Sequence, residues 1–186
     1  MNDSQKTITR RNFLRYALGT GVAVTMPVSY AGILPSSVPV VKDLRLHNLH
    51  TEEKISLSYF EQGQYISDAL RDISYLLRDH RTGDVLAMDP GLIDLLYDLK
   101  GVLGTEQPLQ VISGYRSPKT NAALHKNSSG VASKSLHMQG KAIDICIEGV
   151  DTRDIQKAAI SLARGGVGYY PRSNFVHIDT GRVRAW

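Results

Sequence analysis

The sequence predicts a single α+β domain, a small and mostly antiparallel sheet with helices packed on it. Three observations predict it: two runs of period-two alternation early in the domain, two stretches of apolar residues at helical spacing after them, and a later series of short apolar runs broken by one more amphipathic stretch. Strands gathered before and after helices, without one-for-one alternation, favour α+β over a doubly wound parallel sheet. With 186 residues and 42% hydrophobic content, the chain is large enough for one such domain with a true core.

Polar and apolar residues alternate through Asp43–Leu49 and again through Lys54–Phe60, with Thr51-Glu52-Glu53 between, and that period predicts a hairpin. Ile66, Leu70, Ile73 and Leu77 predict a helix over 65–79, and Leu92, Leu95, Leu96, Leu99 and Leu103 a second over 89–103. Asp89-Pro90 supplies a capping side chain and the proline favoured in the first turn, and Gly104 supplies the stop. Leu109–Ser113 reads as a short strand, Pro118–Leu124 as a helical turn and 126–134 as a polar loop. Ala142–Ile147 is apolar apart from Asp144 and reads as a central strand. Ile155, Ala158, Ala159 and Leu162 predict a third helix over 152–164. Gly165-Gly166-Val167-Gly168 precedes a strand and opens no helix, so it is read as a turn and not as a phosphate loop. Val167–Tyr170 and Asn174–Asp179 are expected to pair as late strands.

The first residues read as an address. Thr9-Arg10-Arg11-Asn12-Phe13-Leu14 precedes an apolar stretch, Tyr16–Val28, too short for the ~20 residues of a spanning helix. The paired arginines match the twin-arginine export pattern, and Ser29-Tyr30-Ala31 offers a cleavage site. The expected organisation is a twin-arginine signal peptide over 1–31, a leader over 32–41 and the domain over 42–186, with the twin-arginine translocase as export partner, a periplasmic destination and no stable membrane span in the mature form; an uncleaved anchor is the alternative. Of the net charge of +4, +3 sits in residues 1–31, leaving +1 for the rest. With no Lys/Arg cluster interleaved with aromatics there, nucleic acid is excluded as a partner. Cys146 is the single cysteine, so an intramolecular disulfide or a thiolate cluster is excluded and any metal must be held by nitrogen and oxygen.

Three polar residues stand in or beside segments expected to be buried. Asp144 interrupts an apolar strand, where an isolated carboxylate costs several kcal/mol unless paired or metal-bound. His177 interrupts Phe175-Val176-His177-Ile178, and His137 lies seven residues before Asp144. Two imidazoles and a carboxylate are the three-ligand set of a catalytic zinc (Zn2+) site with its fourth position open. Taken singly, each is as simply a hydrogen-bonded core residue, and spacing alone does not choose between the two readings. His47, His50, His80 and His125 stand apart as surface or structural residues, with His50 and His125 also placed as candidates to border the groove, and Cys146 reads as a small buried hydrophobe. Tyr115, Tyr169 and Tyr170 are left between a peptide groove and the core.

His137-Met138-Gln139-Gly140-Lys141-Ala142-Ile143-Asp144 matches the HxxGxAxD signature of the zinc peptidases that include the D-Ala-D-Ala dipeptidases and carboxypeptidases, whose fold hedgehog signalling domains share. Ser113-Gly114-Tyr115-Arg116-Ser117 matches their SGYRS element. Asn48–Thr51, Gly101–Thr105 and Gly165–Gly181 are similar, within that superfamily, to the murein endopeptidase K family, and the resemblance covers nearly everything after Val41 and the twin-arginine signal peptide as well. It implies zinc on His137, Asp144 and His177, and cross-linked peptidoglycan stem peptides as substrate, cut at bonds involving meso-diaminopimelate.

By role, Arg116 is suited to bind a substrate carboxylate or an oxyanion, and its alternative is a structural ion pair. The superfamily's acidic residue three positions before the last ligand is here Asn174, which cannot take a proton. Asp179, two residues beyond His177 and on the same strand face, is the first candidate for general base or for a carboxylate behind the ligand, and Glu148 is the second. Two rivals stand beside the endopeptidase: a murein carboxypeptidase or dipeptidase, and a catalytically inactive peptidoglycan-binding module.

Overall fold

The computed structural model describes residues 40–127 and 130–186. The signal peptide and nearly all of the leader lie outside the described residues, so the expectations placed on them do too. Among the described residues no helix is long and apolar enough to cross a membrane.

The chain opens with β1 (Lys42–Asn48), β2 (Lys54–Glu61) and β3 (Gln64–Tyr65), then α1 (Ser67–Leu76) and α2 (Pro90–Leu103). Next come β4 (Leu109–Ser113), α3 (Pro118–Asn127), a 3₁₀ turn at Leu136–Gln139, β5 (Ala142–Ile147) and α4 (Thr152–Ser161). β6 (Gly166–Tyr170), β7 (Phe175–Asp179) and β8 (Arg184–Ala185) complete it. One eight-stranded sheet runs through all the strands in the order β3-β2-β1-β4-β5-β7-β6-β8, so the described part is a single α+β domain.

The hairpin forms as the alternation requires, with Leu44 opposite Leu57 and Leu46 opposite Ile55. The sheet is mixed, however, and larger than expected: β1 joins β4, and β6 joins β8, in parallel, while the other five junctions are antiparallel. Asp89 caps α2 by accepting from the Gly91 amide, with Pro90 in the first turn and Gly104 closing the helix in the left-handed region. α1 starts later than its periodicity predicts, because Ile66 N donates to Tyr59 O and Gln64–Tyr65 extends the hairpin as β3. α3 exceeds the single turn expected of it, and α4 stops at Ser161, short of the expected 164.

One sheet face is packed by helices. Ile143, Ile145, Val167, Val176 and Ile178 share a core with Ile73, Leu92, Leu96 and Ile155 from the helices. Each such side chain contributes about 1.5–3 kcal/mol on burial. Because strand neighbours point to opposite faces, Asp144, His177, Asp179 and Gly168 fall on the other side. Gly166, expected in a turn, belongs to β6 together with Gly168 of the expected strand. They are bare positions on that face: a Cβ at Gly166 would meet Arg184 Nη1 at 2.2 Å, and one at Gly168 would meet the Trp186 ring at 2.7 Å.

Candidate metal centre

Register places Asp144 of β5 directly opposite His177 of β7, on the face the helices leave uncovered. His177 Nδ1 lies 2.8 Å from Asp144 Oδ1. The 3₁₀ turn before β5 brings in the third side chain: Ser135 Oγ accepts from the His137 amide at its start, and Gly140 ends it at φ +66°. His137 Nε2 thereby stands 3.2 Å from both His177 Nδ1 and Asp144 Oδ1. The three expected ligand atoms form a nearly equilateral triangle.

Each imidazole is anchored through its other nitrogen. His137 Nδ1 lies 2.7 Å from the Gly114 carbonyl, and His177 Nε2 lies 3.0 Å from Asp179 Oδ2. Both partners are acceptors, so those nitrogens carry the N–H, and the lone pairs of the remaining two meet the Asp144 oxygen. Three converging lone pairs repel one another unless a proton or a metal ion lies between them. Burial alone would favour a neutral Asp144, yet His137, His177 and Arg116 hold its carboxyl well below the usual carboxylate range. Burial likewise opposes a charged His177, and its bonds to Asp144 and Asp179 outweigh that and raise its pKa. The cluster is built to hold positive charge.

It also fits zinc. A tetrahedral ion with bonds of ~2.0–2.1 Å separates its ligand atoms by about 3.3 Å, close to this triangle, and two nitrogens with one oxygen form a known catalytic donor set. Among the described residues these three are the only group of His, Cys, Asp or Glu whose donor atoms converge in this way. Cys146 takes no part; its thiol donates to Gln110 Oε1. The triangle opens on a cleft of about 360 Å³, lined with charge by Arg116, Lys134 and Arg184 and with aromatic surface by Tyr170, Phe175 and Trp186.

The other expected residues divide. Arg116 reaches the cleft, but its guanidinium donates to Asp144 Oδ2 and its Nε donates to Ser113 Oγ at 2.8 Å. Asp179 sits behind His177, fully buried, with both oxygens taken: Oδ1 accepts from Gly166 N, Gly181 N and Arg184 Nη1, and Oδ2 from His177 and Arg184 Nη2. This is the placement expected of a carboxylate that supports His177. Glu148 does not line the cleft; it is exposed beyond the end of β5, roughly 13 Å along the strand from Asp144 at ~3.3 Å per residue. Asn174 holds a left-handed turn at φ 52° between β6 and β7, a conformation that favours asparagine over most residues. Tyr170 lines the cleft, whereas Tyr115 and Tyr169 pack against the core. His50 and His80 stack on each other, and His125 bonds the Val131 carbonyl.

Sequence reading missed Arg184, Trp186 and the Gly114 carbonyl. The first two alternate with Val183 and Ala185, a period-two signal that could have revealed β8. A backbone carbonyl has no side-chain signature to find.

The loop carrying Arg116 is pinned by Asp79, which is almost wholly buried and accepts from Ser117 N at 2.8 Å and from Arg81 N at 2.9 Å. Burial pushes the Asp79 pKa up, but bonds from Thr120, Ser117 and Arg81 outweigh it and leave the pKa depressed. A carboxylate with a depressed folded pKa stabilises the fold above its unfolded value of ~3.9, and that contribution is lost as pH falls further. Thermal unfolding measured from pH 6 to pH 3 should show the midpoint falling below about pH 4, with a shallower fall in Asp79→Asn. Equal slopes in both proteins would exclude Asp79 as a contributor.

Comparison with known proteins agrees with this geometry. Residues 36–186 match the model of an M15 peptidase family described as peptidoglycan L,D-endopeptidase MepK. The peptidoglycan L,D-endopeptidase MepK of Escherichia coli (strain K12) is 50% identical over 162 residues, which cover 84% of this chain and 89% of the relative. The probable peptidoglycan L,D-endopeptidase MepK of Haemophilus influenzae is 43% identical over 161 residues, covering 83% and 87%. No solved structure matches. The chain belongs to the peptidoglycan L,D-endopeptidase MepK family of M15 metallopeptidases.

Proposed function

We propose that this chain is an exported, zinc-dependent peptidoglycan endopeptidase that hydrolyses peptide cross-links at bonds involving meso-diaminopimelate. The observation that carries the reading is the convergence of His137 Nε2, His177 Nδ1 and Asp144 Oδ1 on one point beside a cleft. Family membership supplies the substrate class: the curated relatives are named for this activity. In the proposed organisation, residues 1–31 direct export through the twin-arginine translocase to the periplasm, 32–41 form a leader and 42–186 form the peptidase domain.

When bound, zinc polarises the scissile carbonyl and makes water nucleophilic near neutral pH. The Gly114 carbonyl and Asp179 hold the two imidazoles in the tautomers and orientations that bind a cation. Arg116 neutralises the outer oxygen of Asp144 and presents its guanidinium to the cleft, where it binds a substrate carboxylate or the developing oxyanion. Lys134 adds positive charge suited to the free carboxylates of stem peptides. Asp179 acts by holding His177 in place; its filled oxygens leave it no lone pair for a proton from water.

The test is digestion of purified cross-linked muropeptides with and without a chelator, read by mass spectrometry. Dimers should become monomers, and the chelator should stop the conversion. Release of free D-alanine alone would assign a carboxypeptidase, and binding to sacculi without cleavage an inert module.

A further inference from the structure

We infer that Arg184, on the C-terminal strand β8, is a positioning residue of the metal centre, acting on His177 through Asp179. This rests on the metal-site reading above. Among the described residues Asp179 is the only partner of the His177 Nε2–H, so the direction of the Nδ1 lone pair follows from where that carboxylate is held. A carboxylate can pivot about its own bond, and Arg184 removes that freedom. Its Nη2 donates to Oδ2 at 2.7 Å and its Nη1 to Oδ1 at 3.1 Å, a two-point grip that a point charge cannot reproduce.

The surroundings are shaped for this grip. A Cβ at Gly166 would fall 2.2 Å from Arg184 Nη1 and 2.5 Å from Asp179 Oδ2, and one at Gly181 would fall 2.9 Å from Asp179 Oδ1. The bare backbone at both positions admits the guanidinium–carboxylate pair, and both amides donate to Asp179 Oδ1. β8 is held against β6 by Trp186 N to Val167 O at 3.1 Å and Tyr169 N to Trp186 O at 2.9 Å. Arg184 also lies against the Trp186 ring, 4.7 Å from its centroid. A short terminal strand, paired in parallel at the sheet edge, thus carries the outermost link of the chain Arg184–Asp179–His177.

The experiment titrates the full chain, stripped of metal, with zinc alone in competition with a chromogenic chelator. Arg184→Gln should weaken zinc binding about 10-fold or more, the range for groups that orient a ligand from behind. Arg184→Lys should recover part of the loss. Arg182→Gln removes the same charge from the exposed neighbouring turn without touching Asp179, and should bind zinc as the wild type does. Melting of the metal-free proteins separates positioning from scaffolding. A fall in apo stability with zinc affinity unchanged in Arg184→Gln would overturn the inference, as would equal weakening by Arg182→Gln. Failure of Arg184→Gln to fold would pass the decision to Arg184→Lys, whose wild-type affinity would overturn it too. If the wild type takes up no zinc, the metal-site reading itself fails, and this inference with it.

Discussion

Replacing Asp144 by alanine is expected to abolish stoichiometric zinc binding and to lower kcat/KM on muropeptide dimers by ~10³-fold or more. The magnitude follows from losing several kcal/mol of transition-state charge stabilisation at about 1.4 kcal/mol per tenfold. Asp144 Oδ1 is one vertex of the donor triangle and Oδ2 is the acceptor of Arg116, so one truncation breaks the metal site and a buried ion pair together. The Asp144 side chain is 4% exposed and that of Arg116 is 13% exposed. Leaving such a guanidinium without its carboxylate costs about 3–5 kcal/mol. The metal-free variant should therefore also melt below the metal-free wild type. Asp144→Asn, which keeps shape and loses charge, should lose zinc as completely and stability less. Zinc content after dialysis and calorimetric melts decide the matter; an alanine variant that retains one zinc per chain would remove Asp144 from the ligand set.

Gly140→Ala should produce the second large effect, and for a backbone reason. Gly140 ends the turn that presents His137, at φ +66°, where an L-residue with a Cβ pays ~1–2 kcal/mol. Space adds to the strain: a Cβ there would fall 2.6 Å from the Ala87 carbonyl oxygen. The Gly140 carbonyl accepts from Asp89 N at 2.9 Å, and Asp89 in turn caps α2 and accepts from Thr180 Oγ1 at 2.7 Å. Displacing Gly140 thus disturbs the helix start, the segment after β7 and the seat of His137 at once. A loss of about 3 kcal/mol is expected, which lowers the melting midpoint of a domain this size by roughly 10 °C, with weakened zinc binding alongside. An unchanged midpoint would show that the turn relaxes without cost. The glycine of the HxxGxAxD signature is therefore required by conformation and clearance, with no contact to the ion needed to explain it.

Much of the fold was legible because its signals are local. The β1–β2 hairpin follows from alternation, α2 from its leucines and its Asp-Pro start, and β5 from an apolar run around one carboxylate. Where local preference competed with tertiary pairing, tertiary pairing prevailed: Tyr65 left the predicted helix to pair with β2, and Gly166 became strand.

The three candidate donor residues could be picked out in the sequence because the HxxGxAxD signature carries His137 and Asp144, and the resemblance of Gly165–Gly181 carries His177. Arg116 and Asp179 were also named from sequence, but the bonds that fix their roles were not, because most of those partners come from distant parts of the chain. Gly114 lies 23 residues from His137, Arg116 lies 28 from Asp144, and the strand order seats β7 between β5 and β6. A carboxylate near a ligand can be a base or a support, and sequence leaves both open. Only the folded sheet, by surrounding Asp179 with two amides, an imidazole and the Arg184 guanidinium, consumes every oxygen lone pair that could have taken a proton. Residue type and spacing are written along the chain, whereas the filling of lone pairs depends on which groups the sheet brings within about 3 Å of one another.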